Sequence, residues 1–126
     1  MPLSFPVEHA NQILVIVSGA TELQEMMDFI AQSRRGEKRD HAFLFDVSAA
    51  SINITGDEMR GLAAFAAAEA RTGPLGPVAF ISTNPAAFGM SRMFQSYSTA
   101  EGRNNVGVFR SLADAQAWLK TLKREG

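Results

Sequence analysis

The feature that most constrains the fold of this chain is a repeated switch between two hydrophobic periodicities. Continuous runs of β-branched, aromatic and other apolar residues occupy residues 12–18, 42–47 and 78–81, and each is typical of a buried strand. Between and after these runs, apolar residues recur at i, i+3, i+4 and i+7, which is the spacing of an amphipathic helix. Strands that alternate with helices in this way favour a parallel sheet covered by helices.

The same pattern predicts the order of the elements. A short strand at residues 3–8 precedes the first long strand as an antiparallel partner, and the prolines beside and within it restrict it to a sheet edge. A last short strand at residues 106–109 and a helix after Ser111 complete the order. We therefore predict a single α/β domain over residues 1–126, with a four- to five-stranded, mostly parallel sheet, an N-terminal antiparallel edge strand and about four helices.

Helix starts are indicated by capping residues. A hydroxyl or amide side chain that precedes an apolar stripe can accept a hydrogen bond from a free N–H of the first turn. The strand at residues 42–47 is predicted to end in a loop at residues 48–54, which leads to a cap at Thr55. The candidate caps are Thr21 with Gln24, Thr55 with Glu58, Asn84 with Pro85, and Ser111 with Asp114.

Composition excludes several functional classes. The chain has no cysteine, which removes disulfides, thiolate zinc sites and cysteine nucleophiles. Its 12 Lys and Arg residues balance 13 Asp and Glu residues, so there is no electrostatic reason to expect nucleic acid as a partner. No run approaches the ~20 apolar residues of a membrane span, and the first residues do not have the pattern of a signal peptide. We expect a cytoplasmic protein with no membrane span.

Motifs for cofactor and metal chemistry are missing from the sequence as well. It contains no phosphate-binding loop, no dinucleotide glycine fingerprint and no Gly-x-Ser-x-Gly elbow. The two histidines, His9 and His41, have no acidic cluster near them in sequence. We therefore expect no cofactor and no metal, and we predict a protein that is not an enzyme.

Polar residues follow the predicted strands at their carboxyl ends, where open α/β sheets bind ligands. Asp46 occupies the place of the aspartate in a phosphoacceptor receiver domain, but residues 18–21 lack the acidic pair that would hold magnesium. The lysine of such domains is also absent, because residues 83–85 read Thr-Asn-Pro. We interpret Asp46 as an acceptor of backbone N–H bonds from the following loop. The candidate strand-end polar site comprises Asp46, Ser48, Thr55 and Asn84.

The segment at residues 85–97 carries more apolar residues than one buried helix face needs. At about 100° per residue, Met90, Phe94 and Tyr97 share a face, while Phe88 lies toward the other side. Neighbouring elements can bury both faces, or the surplus can be a self-association surface. A third interpretation is a groove for an apolar or lipid-like ligand whose anionic head is held by Arg92. The candidate apolar interface or ligand groove comprises Phe88, Met90, Arg92, Met93, Phe94 and Tyr97.

Four segments together resemble a bacterial family. They are the strand that leads into Ser18 and Gly19, the strand end at residues 43–48, the helix at residues 85–94 and the last strand and helix at residues 108–119. In these segments the chain is similar to the STAS-like family of anti-sigma-factor antagonists, also described as STAS/SEC14-like. The resemblance covers nearly the whole chain, and its motifs are patterns of core and capping residues.

This resemblance implies a sheet with helices mainly on one face and a non-catalytic regulatory module that binds another protein. The partner would be a regulatory kinase, a sigma-regulating protein or a second copy of the chain in a homodimer. The alternative function is a small domain that binds an apolar or lipid-like molecule through the helix at residues 85–97.

The antagonists are switched off by phosphorylation of a serine in an Asp-Ser-Ser-Gly motif at the start of a helix. Residues 53–58 read Asn-Ile-Thr-Gly-Asp-Glu in this chain, so only Thr55 and Gly56 match the motif. Thr55 is therefore either a switch residue or a plain helix cap. The carboxylates of Asp57 and Glu58 would repel an added phosphate, which favours the cap.

Overall fold

Five strands and four helices form the described part of the chain, which in this computed structural model comprises residues 3–9, 12–33, 41–71 and 76–125. Side chains are described for residues 12–32, 41–71 and 76–122. Within these ranges, every helix is too short or too polar to cross a lipid bilayer. The elements are β1 (Leu3–His9), β2 (Gln12–Thr21), α1 (Leu23–Ser33), β3 (Ala42–Ile52), α2 (Gly56–Ala70), β4 (Val78–Ile81), α3 (Pro85–Ala100), β5 (Val106–Phe109) and α4 (Leu112–Glu125).

The sheet has the strand order β1-β2-β3-β4-β5, so every strand lies beside its neighbour in sequence. Strand β1 pairs antiparallel with β2, and β2, β3, β4 and β5 pair parallel. Parallel neighbours need a crossover, and α1, α2 and α3 supply the three connections. This arrangement confirms the predicted α/β fold, with four parallel strands, an antiparallel edge strand and four helices.

The two faces of the sheet bury different sets of side chains. Phe43 of β3 belongs to a core cluster that Phe29 of α1 joins, whereas Leu44 belongs to a cluster with Ala115 and Leu119 of α4. Successive residues of a strand point to opposite faces, and both of these β3 residues are buried. The continuous apolar run of β3 therefore reflects a strand that is covered on both sides.

The predicted ends of two strands were wrong. Strand β3 runs through the predicted loop as far as Ile52, and β2 runs past Gly19 to Thr21, which pairs with Ile52. Thr21 was expected to cap α1, but it is 2% exposed and its hydroxyl donates to Gly19 O at 3.4 Å. Serine, alanine and glycine dominate these extensions and have low strand propensity, so pairing between the two strands decides their structure.

Candidate functional site

Asp46 and Ser48, which were predicted to lie at a strand end, lie inside β3 and accept hydrogen bonds from backbone N–H groups. Asp46 Oδ1 accepts from Ser48 N at 3.0 Å, and Ser48 Oγ accepts from Thr83 N at 3.0 Å. Asp46 therefore accepts a backbone N–H bond as predicted, but the donor Ser48 belongs to β3 and not to a following loop. These contacts tie the middle of β3 to the loop between β4 and α3, so the structure brings Asp46 and Ser48 to the start of α3.

The other two residues of this predicted site cap helices. Asn84 Oδ1 accepts from Ala86 N at 3.0 Å at the start of α3, with Pro85 in the first turn. At the start of α2, Thr55 Oγ1 accepts from Glu58 N at 3.1 Å, and Glu58 Oε1 accepts from Thr55 N at 2.9 Å. Both caps were predicted correctly, and each satisfies N–H groups that the helix itself leaves free.

Thr55 is separated from the rest of this predicted site. A Cβ placed on the adjacent Gly56 would lie 4.0 Å from Met93 Sδ and 4.0 Å from Tyr97 Oη. The start of α2 therefore lies against the middle of α3, and Met93 is about two and a half helical turns from the cap at Asn84. The strand-end polar site thus consists of a connected group around Asp46 and a separate helix cap at Thr55.

Replacement of Thr55 by alanine is expected to lower the free energy of unfolding by about 1 kcal/mol, because it removes one of the two bonds of the capping box. Urea denaturation followed by circular dichroism measures the change. Thr83→Ala is the matched control, since Thr83 is exposed and contributes its backbone N–H rather than its hydroxyl. Equal stability of Thr55→Ala and the unmodified protein would contradict the capping role.

Helix α3 buries a narrower face than its apolar content suggests. Phe94 is 5% exposed and makes an edge-on contact with Phe80 at 5.4 Å between ring centroids. Met90, Met93 and Tyr97 are half-buried and pack against the core cluster that includes Met59, Leu62 and other residues of α2. The fully buried positions of α3 are Ala87, Ser91, Phe94 and Ser98.

Cationic side chains cover part of the remaining apolar surface of α3. The guanidinium carbon of Arg110 lies 4.1 Å from the centroid of the Phe88 ring, and that of Arg60 lies 5.3 Å from the Tyr97 ring centroid. Arg92 is exposed. The apolar surplus of this helix is therefore divided between the core, a contact with α2 and two cation–π contacts.

A cavity of about 110 Å³ lies between the sheet and the helices α1, α2 and α3. Its wall is almost entirely apolar. Ala66 is 3% exposed and contributes to the wall, so its small side chain leaves part of this space empty. The apolar lining includes Val17, Phe45 and Phe80 of the sheet, Phe29 of α1, Leu62 and Ala66 of α2, and Met90 and Phe94 of α3.

Three lining residues carry polar groups. The hydroxyl of Ser91 donates to Ala87 O at 2.9 Å, and that of Thr21 donates to Gly19 O, so both hydroxyl protons are engaged by the backbone. Arg103 is the third, and it is the charged member of the described lining. Burial lowers the pKa of its guanidinium. An arginine nevertheless stays protonated at neutral pH.

Only part of the predicted ligand groove belongs to this cavity. Met90 and Phe94 line it, whereas Phe88, Met93 and Tyr97 contact other groups and Arg92 is exposed and outside the lining. Sequence reasoning missed Arg103, which lies in the loop between α3 and β5. Its position gave no signal, because periodicity does not indicate where a loop side chain points.

In the part of the chain that the structure describes, no group of three His, Asp or Glu side chains is arranged to hold a metal ion. No family model matches the chain, and no curated protein sequence matches it.

Proposed function

We propose that this chain is a non-catalytic, STAS-like module that binds a small apolar molecule in the cavity between its sheet and helices. The observation that carries the proposal is the cavity itself, with a volume of about 110 Å³ and a wall of aromatic, methionine and aliphatic side chains. An apolar cavity of about 150 Å³ engineered into another protein stays dry and binds benzene. Ligand sites in proteins are commonly apolar spaces of this kind with few polar groups.

The chemistry of the wall supports this function. A small apolar molecule in this space would make dispersion contacts with the aromatic, methionine and aliphatic side chains that line it. Because such a molecule would bind the folded chain and not the unfolded one, its binding would raise the stability of the protein.

The resemblance to STAS-like regulatory proteins gives this binding a role. In our proposal the bound molecule is a signal rather than a substrate, and a protein partner binds the ligand-bound and ligand-free forms with different affinity. Helices α2 and α3 contribute to the cavity wall and also to the molecular surface. A ligand in the cavity can therefore change the surface that a partner contacts.

Replacement of Ala66 by leucine is expected to abolish binding of a neutral apolar probe while the protein stays folded. The added carbons fill the cavity from α2, and filling a void tends to maintain or raise stability. Fluorobenzene is the probe, titrated by 19F NMR, and thermal unfolding checks the fold. At least a tenfold loss of affinity is expected.

Ala68→Leu is the matched control, because Ala68 is exposed on the same helix. This control should bind fluorobenzene as the unmodified protein does. The proposed function is wrong if the unmodified protein does not bind the probe, or if a folded Ala66→Leu variant binds it equally well.

A further inference from the structure

Arg103 is held at the cavity by the loop that follows α3. Gly102 has a φ of +90° and Arg103 N donates to Ser98 O at 2.9 Å, which closes the end of the helix and fixes the backbone of Arg103. Its side chain is half-buried and lines the apolar cavity. The guanidinium of Arg103 is therefore a charged group in a cavity lining that is otherwise almost entirely apolar.

The guanidinium of Arg103 has few partners for its charge. Its side-chain bond within the described residues is the one from Nη2 to Asn105 Oδ1 at 3.3 Å, and an amide oxygen does not neutralise a cation. The neighbouring carboxylate of Glu101 pairs instead with Arg71 at 3.4 Å. Four of the five N–H donors of Arg103 are left for other acceptors.

A partly buried cation in apolar surroundings is destabilising unless an anion accompanies it. A ligand that brings its own negative charge would supply that anion. Its charge would be matched by one arginine, since no second cation lines the described cavity. A carboxylate fits this arrangement, because it carries one charge and its two oxygens match the guanidinium fork.

We infer that the ligand of this cavity is a small amphiphilic carboxylic acid, with an aromatic or medium-chain aliphatic body among the apolar residues and its carboxylate paired with Arg103. This inference rests on the proposed function and adds the chemical class of the ligand. One of the three interpretations of the sequence had Arg92 hold an anionic head group. We give that role to Arg103, because Arg103 lines the cavity and Arg92 is exposed outside it.

Three probes with one fluorophenyl body test the inference on the unmodified protein. They are 4-fluorobenzoate, fluorobenzene and 4-fluorobenzylamine, titrated by 19F NMR at neutral pH. A charge-assisted hydrogen bond to Arg103 should make 4-fluorobenzoate bind at least about tenfold more tightly than fluorobenzene. The amine should bind more weakly than fluorobenzene, since its cation meets that of Arg103.

The variant Arg103→Gln separates the head of the ligand from its body. It should bind 4-fluorobenzoate no more tightly than fluorobenzene, and its affinity for fluorobenzene should stay within twofold of the unmodified protein. Fluorobenzene binding also reports that this variant is folded. The control Arg92→Gln removes an exposed cation of α3 and should leave the preference for the acid unchanged.

The outcomes distinguish the inference from the function on which it rests. Equal binding of the acid, the amine and fluorobenzene by the unmodified protein would overturn the role of Arg103 and leave apolar binding intact. The same conclusion follows if Arg103→Gln keeps the preference for the acid. Absence of fluorobenzene binding by the unmodified protein would instead reject the proposed function, whatever the two charged probes do.

Discussion

Replacement of Phe94 by alanine is expected to lower the free energy of unfolding by about 3–5 kcal/mol, which is the cost of removing a buried phenyl ring. Phe94 is 5% exposed, and its ring meets that of Phe80 at 5.4 Å and 73°, an edge-on contact that adds to the area it buries. Phe94 also lines the cavity, so the substitution joins a new void to an existing one and the neighbours cannot easily fill both.

Urea denaturation with an unchanged m-value would show that the loss lies in stability and not in the extent of unfolding. Phe88→Ala is the matched control on the same helix. Phe88 is half-buried beneath the guanidinium of Arg110, so its loss should be about 1 kcal/mol. Equal losses for the two variants would contradict the helix orientation that buries Phe94.

The enlarged cavity of Phe94→Ala provides a second measurement. Fluorobenzene should raise the unfolding temperature of this variant more than that of the unmodified protein, because more empty space is available to fill. A ligand that binds only the folded state stabilises it by about 2.7 kcal/mol when the free ligand concentration is 100 times the dissociation constant. That amount would recover much of the stability lost on substitution.

Local sequence signals predicted most of the fold. The apolar runs of β2, β3 and β4 and the caps Thr55 and Asn84 each act over a few residues, and the structure confirms all of them. Such signals are readable because each depends on the spacing of neighbouring side chains and not on the rest of the fold. The strand order then follows from alternation, since short crossovers put consecutive strands side by side.

Features that depend on contacts distant in sequence were not predicted. The strands β2 and β3 extend to Thr21 and Ile52 through residues of low strand propensity, because each supplies the hydrogen-bond partners of the other. Gly19 has a φ of 75° but lies inside β2, where it pairs with Ala50, although the sequence predicted that the strand ends before it. Glycine permits that conformation without ending the pairing.

The candidate site was predicted only in part for the same reason. The rule that ligands bind at strand ends pointed to Asp46 and Ser48, yet both residues lie inside β3, and they accept bonds from the backbone of β3 and of the loop before α3. The cavity depends on which side chains of three helices fail to meet above the sheet. Packing defects of that kind come from the combined volumes of residues far apart in sequence, and no periodicity encodes them.

Replacement of Leu44 by alanine is expected to cost about 3 kcal/mol or more, although Leu44 lies on the face of the sheet opposite the cavity. Leu44 is 2% exposed and packs in the cluster that contains Ala115 and Leu119 of α4. Two small alanines, Ala79 and Ala115, are among its neighbours there, and neither can extend to fill the void that a shorter side chain leaves.

Leu112→Ala on α4 is the control for this substitution. Leu112 is 38% exposed, so its loss should change the free energy of unfolding by less than about 0.5 kcal/mol. Fluorobenzene should bind folded Leu44→Ala with nearly unchanged affinity, because the sheet separates Leu44 from the cavity wall. A loss below about 1 kcal/mol for Leu44→Ala would mean that α4 does not pack against the sheet as a core layer.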